Sequence, residues 1–517
     1  MEHLQTLTWT DAWYLAPEVT LSIATIVLAL LDLILPRRVN RNLIGWLTLA
    51  GLLVSAVFVV WLMFDFKDLK DAAQVHSLLG GSYRIDDFGN LLKLVFIGAS
   101  AFIVFSSLGT IRDEDVPIKG EFYYLLLPAV LGAMVMSSSG DLITLFVGLE
   151  LLSITSYILV AARKNASQSS EAAFKYVVTG GVASAIILYG MSFLYGVTGS
   201  TNLADMMSGM QGAIESSEAL IYVSLFLMTA GFAVKLALAP FHAWASDVYQ
   251  GAPTPVTAFL AVVAKGAAFA MLYRIFFMFM TYFTLNSGMN EVVDRMKNDV
   301  FLGLAVLSAA AMIVGTAGAL RQRNVKRLLA LSGVANAGIL IIPLALDLTR
   351  LHSSVFSEFI YYLIAYAVMN IGAFSVLTIV SRSSGNDSIS GFAGLYHRAP
   401  WTAAGMTVLL CSLAGLPVTG GFFGKLFILF ATVQTKTYWL AAILLVTTVV
   451  SYAVYFSFIR QMYLRSGEVD SGLRMSWPAS VSIWLCVAGT LALGFLPKPI
   501  LEWIDKLFEL PYDMLLS

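Results

Sequence analysis

The sequence predicts an all-α membrane protein of about fourteen transmembrane helices, from its composition, its apolar windows and the charges of its loops. Of 517 residues, 58% are hydrophobic and 12% charged, about half the charged share of a soluble domain. A water-soluble fold cannot hide so much apolar surface, whereas a bilayer accepts it. A net charge of -1 excludes nucleic acid as a partner, because phosphate binding needs clustered Lys and Arg. The N-terminal stretch Met1 to Glu18 lacks a basic n-region, so no cleaved signal peptide is expected.

A spanning helix needs roughly 20 mostly apolar residues. In chain order the windows are 17–35, 43–63, 88–109, 121–138, 141–162, 172–198 and 218–245. They continue with 254–282, 299–320, 323–346, 356–381, 400–432, 436–464 and 477–497. The polar stretches 64–87, 199–217 and 499–517 leave no room for a folded soluble domain, so the chain reads as one polytopic membrane domain over 1–517. Basic residues occupy alternate loops: Arg37, Arg38 and Arg41; Arg112 and Lys119; Arg163 and Lys164; Arg321 and Arg323; Arg382 and Arg398; Arg460, Arg465 and Arg474. The other loops are poor in them, and 64–87 is net acidic through Asp65, Asp68, Asp71, Asp86 and Asp87. The positive-inside rule then places both termini on the outer face, as an even helix count requires.

Ionisable groups inside apolar windows carry the functional signal, because each costs about 2.5 kcal/mol or more at the bilayer centre. Glu150, Lys235, Lys265 and Lys425 are such groups. A buried lysine gives up its proton readily and a buried carboxylate keeps its own, so the set suits proton storage and hand-over. The plainer reading is a set of fixed ion pairs. One acid cannot pair three lysines, which favours the relay. Lys93 and Arg274 read as structural, Lys175 is open between the two, and Asp32 reads as an interfacial partner for Arg37 or Arg38. Cys411 and Cys486 lie far apart in apolar stretches, with no C-x-x-C pair and no zinc or iron–sulfur spacing. They read as small apolar residues.

Two windows are interrupted. Pro240 follows Lys235, and Pro417 with its neighbouring glycines precedes Lys425, each removing a backbone donor from a helical stretch. Discontinuous helices beside intramembrane charges point to an ion pathway. Either break alone could be an ordinary proline kink. His242, just after the first break, is either a hydrogen-bonded structural group or a carrier between Lys235 and Lys265. The stretch Phe422-Phe-Gly-Lys fails as a phosphate loop, since Thr419 replaces the first glycine and Leu426 the Ser or Thr.

The run from Phe232 to Phe259 contains Lys235, Pro240, His242 and the stretch Asp247-Val-Tyr-Gln-Gly-Ala-Pro-Thr-Pro. It is similar to the central stretch of the antiporter-like membrane subunits of NADH–quinone oxidoreductase (respiratory complex I). Leu15-Ala-Pro-Glu, Gly148-Leu-Glu-Leu-Leu-Ser, Asn324-Val-Lys-Arg-Leu-Leu-Ala, and Leu413-Ala-Gly-Leu-Pro with Gly424-Lys425 agree in the same order. Within that family the chain resembles the subunit N group: a lysine at 425 argues against subunit M, and the missing C-terminal lateral helix against subunit L.

The resemblance implies two inverted five-helix repeats, each with a broken helix. It divides the chain into N-terminal helices (1–115), a first repeat (121–282), a second repeat (299–464) and a C-terminal helix with tail (477–517). It implies Glu150 and Lys235 as the coupled acid and lysine of one half-channel, Lys265 as the central relay and Lys425 as the group of the second. Lys175 matches another family lysine. Family members often carry a histidine where this chain has Val334-Ala-Asn-Ala-Gly, and Asn336 cannot carry a proton as imidazole does, so a relay there needs water or another side chain.

No flavin, nucleotide or cluster motif occurs in this chain. The expected cofactors, flavin and iron–sulfur clusters, belong to partner subunits, as do the NADH and quinone sites. The expected partners of the chain itself are protons, lipid and the other membrane subunits of the complex, in a bacterial cell membrane. The alternative is a subunit of a multisubunit sodium/proton antiporter, which shares the Glu, Lys and broken-helix pattern.

Overall fold

The computed structural model describes residues 9–36, 38–68, 76–111, 116–346, 355–466, 473 and 475–507. Arg37, Asp71, Arg112 and Arg474 of the loop reading lie outside them, as does the tail from 508 onward. Among the described residues, thirteen helices are long and apolar enough to cross a membrane. Two shorter apolar helices, Pro400–Ala414 and Gly420–Gln434, follow one another across residues 415–419. Counted as one interrupted crossing, they complete fourteen.

Helix ends fall where backbone chemistry puts them. Asp141 accepts from the amides of Ile143 and Thr144 at the start of Leu142–Val160. Asn324 accepts from the amide of Arg327 at the start of Val325–Ile341. These are N-caps that satisfy donors a helix leaves open. The helix Ser167–Thr198 stops at Gly199, whose φ of 74° a side chain would resist. Asn290 caps Glu291–Ala319, so that helix begins eight residues before the apolar window at 299.

Burial sorts the helices into an enclosed centre and a lipid-facing rim. Nine-tenths or more of the apolar windows in Thr254–Leu285 and Val325–Ala345 are buried inside the protein, against 22% for Ala16–Ile34 and 28% for Tyr438–Leu464. The helix Val355–Ser384 is enclosed nearly as fully. Lipid tails tolerate only apolar faces, so polar side chains must collect in the centre. They do: the three enclosed helices carry Lys265, Arg274, Lys326, Asn336, Tyr362 and Tyr366, all buried.

Three polar stretches contain structure that their composition hides. In 64–87, His76–Leu78 pairs antiparallel with Tyr83–Ile85, in the register Ser77 opposite Arg84. The connecting turn runs through Leu79, Gly80 and Gly81, all at positive φ. The stretch 199–217 contains a helix, Leu203–Ala213, and Pro497–Leu507 forms another with its apolar residues on one face. None is long enough to cross a bilayer.

The hairpin leads into a buried pair. Asp86 caps the helix Asp87–Ser107 through the amide of Gly89 and receives two bonds from the Arg274 guanidinium, at 2.6 and 2.7 Å. Lys93 lies 2.9 Å from Glu18 and donates to Tyr83, which donates to Glu18 in turn. Lys93 and Arg274 are therefore paired, as the structural reading expected. Asp32 pairs with Arg41 at 3.0 Å, just before the next helix; of the two partners expected, Arg38 shows no ion pair with it among the described residues and Arg37 lies outside them.

Candidate functional site

The window 218–245 is two helices, Glu218–Lys235 and Ala243–Gly251, with an irregular link between them. Pro240 has no amide hydrogen to offer the Leu236 carbonyl, and Ala237 sits at φ 55°, a rare conformation away from glycine. The Val234 carbonyl accepts from the Trp244 indole at 2.9 Å. Lys235, in the last turn, donates to Ser153 at 2.9 Å. Ser153 stands three residues after Glu150 and so on the same helix face. Glu150 is half-buried, and its Oε1 has no hydrogen-bond partner among the described residues. Lys235 is thus bonded to the helix that carries Glu150, one turn along from it.

The second interruption repeats the device with a clearer outcome. Leu413 would bond the amide four residues on, which is Pro417, and Val418 leaves the helical region at φ 74°. The carbonyls of Leu413 and Ala414 are therefore free, and Lys425 donates to both, at 2.9 and 3.1 Å. Two carbonyls at a helix C-terminus are a good cradle for an ammonium in a medium without water. Gly415, at φ 85°, makes the turn, and a side chain there would stand against Lys425.

Between these ends lies Lys265, 4% exposed, with no hydrogen-bond partner for its amine among the described residues. It follows directly on a π-helical turn, Leu260–Ala264. Such turns loosen the backbone ladder and recur at functional sites.

Beyond it, a cavity of about 20 Å³, room for roughly one water, is lined by Lys425, Ser332, Asn336, Thr447, Ser451 and Tyr455. Ser332 and Tyr455 hydroxyls are 2.5 Å apart, and the Asn336 amide bonds Ser332 and Tyr362. Asn336 thus sits in a hydroxyl cluster around a space for water.

The remaining candidates are placed elsewhere. Lys175 pairs with Asp247 and Glu171, each at 2.7 Å, and Arg327 shares Asp247. His242 opens the helix Ala243–Gly251 with Nδ1 buried and without a partner among the described residues. Neither shows a bond to Lys235 or Lys265. Cys486 is buried and Cys411 half-buried, both free. Among the described residues no cluster of His, Cys, Asp and Glu could hold a metal.

A polar cavity of about 560 Å³ opens at the basic-loop ends of the helices, beside Arg163, Gln250, Thr254, Lys326, Arg382 and Asp387. Lys326 bridges Asp387 at 3.2 Å and donates to the Ala252 carbonyl. Burial alone would raise the Asp387 carboxyl, but Lys326 and the Ser381 hydroxyl outweigh it and hold it below the usual carboxylate range. A depressed carboxylate contributes stability above its unfolded pKa of about 3.9 and loses it as pH falls through the native value. Thermal stability should therefore drop, as pH falls below about 4, more steeply in the natural protein than in Asp387→Asn, measured by detergent melts. Equal slopes would remove the pair from the stability account.

Sequence reasoning missed Asp387, Ser332 and Tyr366, and read Asp86 only as a loop acid. Lys326 and Glu18 were at least present in the motifs Asn324-Val-Lys-Arg and Leu15-Ala-Pro-Glu. The hydroxyls left no signal, since Ser and Tyr are ordinary in membrane helices.

An enclosed bundle with two interrupted helices, each with a lysine beside the interruption and one of them seated on freed carbonyls, defines a membrane ion-translocating subunit. The chain belongs to the NADH:quinone oxidoreductase/Mrp antiporter membrane family, whose model matches residues 139–451. It is 54% identical over 98% of both chains to NADH-quinone oxidoreductase subunit N of Paenibacillus sp. (strain JDR-2). A chain of respiratory complex I from Thermus thermophilus superposes with a TM-score of 0.75 at 30% identity, over 94% of this chain and 98% of that one. A chain of the Mrp complex from Dietzia sp. DQ12-45-1b has a TM-score of 0.80 over 98% of both, but at 20% identity that likeness concerns the fold alone.

Proposed function

We infer that this chain is the subunit N type of membrane subunit in a bacterial NADH–quinone oxidoreductase and translocates protons there. The observation that carries the reading is the family membership together with three intramembrane lysines, Lys265 and Lys425 buried and Lys235 half-buried, two of them at helix interruptions. The other membrane subunits of the complex flank it. NADH, quinone, flavin and iron–sulfur clusters belong to those partners, and this chain contributes no redox group.

Charge changes reach Glu150 from a neighbouring subunit and alter how tightly Lys235 holds its proton. The proton then passes by way of Lys265 to Lys425 and leaves. Lys175 and His242 serve the same path on the Lys235 side. Lys175 holds Asp247 and with it the second half of the broken helix, and the exposed side of His242 gives water a foothold. The two interruptions support the pair of inverted repeats. The basic loops put the polar cavity beside Lys326 on the inner face and both termini on the outer face.

The test is NADH-driven acidification of inside-out vesicles in sodium-free medium. Full acidification, insensitive to added sodium, is expected. Acidification that needs sodium and no NADH would instead favour the sodium/proton exchanger, whose fold the chain shares.

A further inference from the structure

Lys265 and Tyr366 come from different helices, Thr254–Leu285 and Val355–Ser384, and meet over a third. Lys265 is 4% and Tyr366 2% exposed. Neither the lysine amine nor the tyrosine hydroxyl has a hydrogen-bond partner among the described residues. Both atoms face Gly333: a Cβ built there would lie 2.9 Å from Lys265 Nζ and 3.0 Å from Tyr366 Oη. A methyl at 333 would thus crowd two buried polar atoms at once, and both converge beside the bare Cα of Gly333. Leaving either unpartnered costs about 1–3 kcal/mol. The two atoms are thus near enough to each other for one water between them to satisfy both, and a side chain at 333 would be pressed against both.

We propose that Gly333 keeps open a water site that joins Lys265 to Tyr366, and that the Tyr366 hydroxyl is the first carrier of the proton leaving Lys265 for the second half of the chain. The proposal rests on the relay reading above. In the step, one N–H bond of the Lys265 ammonium breaks and an O–H bond forms on the water. The water passes one of its own protons to the Tyr366 oxygen as the tyrosine proton moves on. Water and tyrosine end unchanged, the lysine ends neutral, and one proton has advanced. No electrons move.

The next acceptors begin one residue along the helix from Gly333. Ser332, the residue before Gly333, is bonded to Tyr455, and both line the cavity that contains Lys425. Asn336 itself holds the geometry, with its amide committed to Ser332 and Tyr362.

The test uses the assembled complex in inside-out vesicles, with proton uptake normalised to the amount of complex. Gly333→Ala fills the water site, Tyr366→Phe removes the hydroxyl but keeps the ring, and Lys265→Ala is the reference. A several-fold loss of uptake is expected in all three, with a larger solvent deuterium effect on the remaining uptake in Tyr366→Phe. A merely structural role for Tyr366 would leave that isotope effect at its natural value and overturn the proposal. Full uptake in Gly333→Ala or in Tyr366→Phe, with loss in Lys265→Ala, would also overturn it and leave the relay reading standing. Full uptake in Lys265→Ala would remove the relay reading itself. Should Gly333→Ala fail to assemble, the Tyr366→Phe uptake and isotope effect decide.

Discussion

Alanine at Lys235 is expected to stop proton translocation through this chain while the complex still assembles. The amine bonds Ser153 at 2.9 Å, and the helix that ends there is interrupted whatever residue 235 is, because Pro240 lacks its donor. The fold therefore does not need the charge. A positioned proton-transfer group contributes about 10²–10⁴-fold, so flux through this chain should fall at least about 100-fold. Arginine is the sharper variant: it keeps the positive charge but cannot give up its proton. Uptake that survives in Lys235→Arg would make residue 235 a structural cation and end its relay role.

The second large effect is structural. Arg274 and Asp86 are almost wholly buried and joined by two bonds, and Arg274 also donates to the Ser137 carbonyl. Breaking such a pair by removing one member costs about 3–5 kcal/mol, because the other charge stays behind. Arg274→Met should therefore lower the melting temperature of the complex and the amount of chain in the membrane. Adding Asp86→Asn should restore most of the loss, since the amide oxygen can still cap Gly89 and no charge is stranded. A double variant no better than the single one would mean that Asp86 matters through its own contacts and not as the counter-ion.

These two sites also mark the boundary of what the sequence discloses. A charge inside an apolar window is anomalous within its own twenty residues, so Lys235, Lys265, Lys425 and Arg274 were legible, and so were the prolines that free carbonyls beside two of them. Their partners were not. Asp86 lies 188 residues from Arg274, in a stretch where an acid is unremarkable, and only folding brings them together. Tyr366 and Gly333 are quieter still, because neither is costly where it stands. Their meaning lies in facing the same point as Lys265. The break in 218–245 was legible as a proline, but its extent was not: the helix stops at Lys235, five residues before Pro240. The loop structures at 76–85 and 203–213 escaped because membrane windows are read by apolar content, and short polar elements have none.

The central claim is that this chain works inside a redox-driven proton pump. Affinity purification of the tagged full-length chain in mild detergent, with its partners identified and quinone reduction by NADH assayed on the same sample, tests it most directly. Recovery together with flavin and iron–sulfur subunits, and NADH–quinone activity in the eluate, is the predicted result. Recovery with small antiporter subunits alone, and no redox activity, would contradict it.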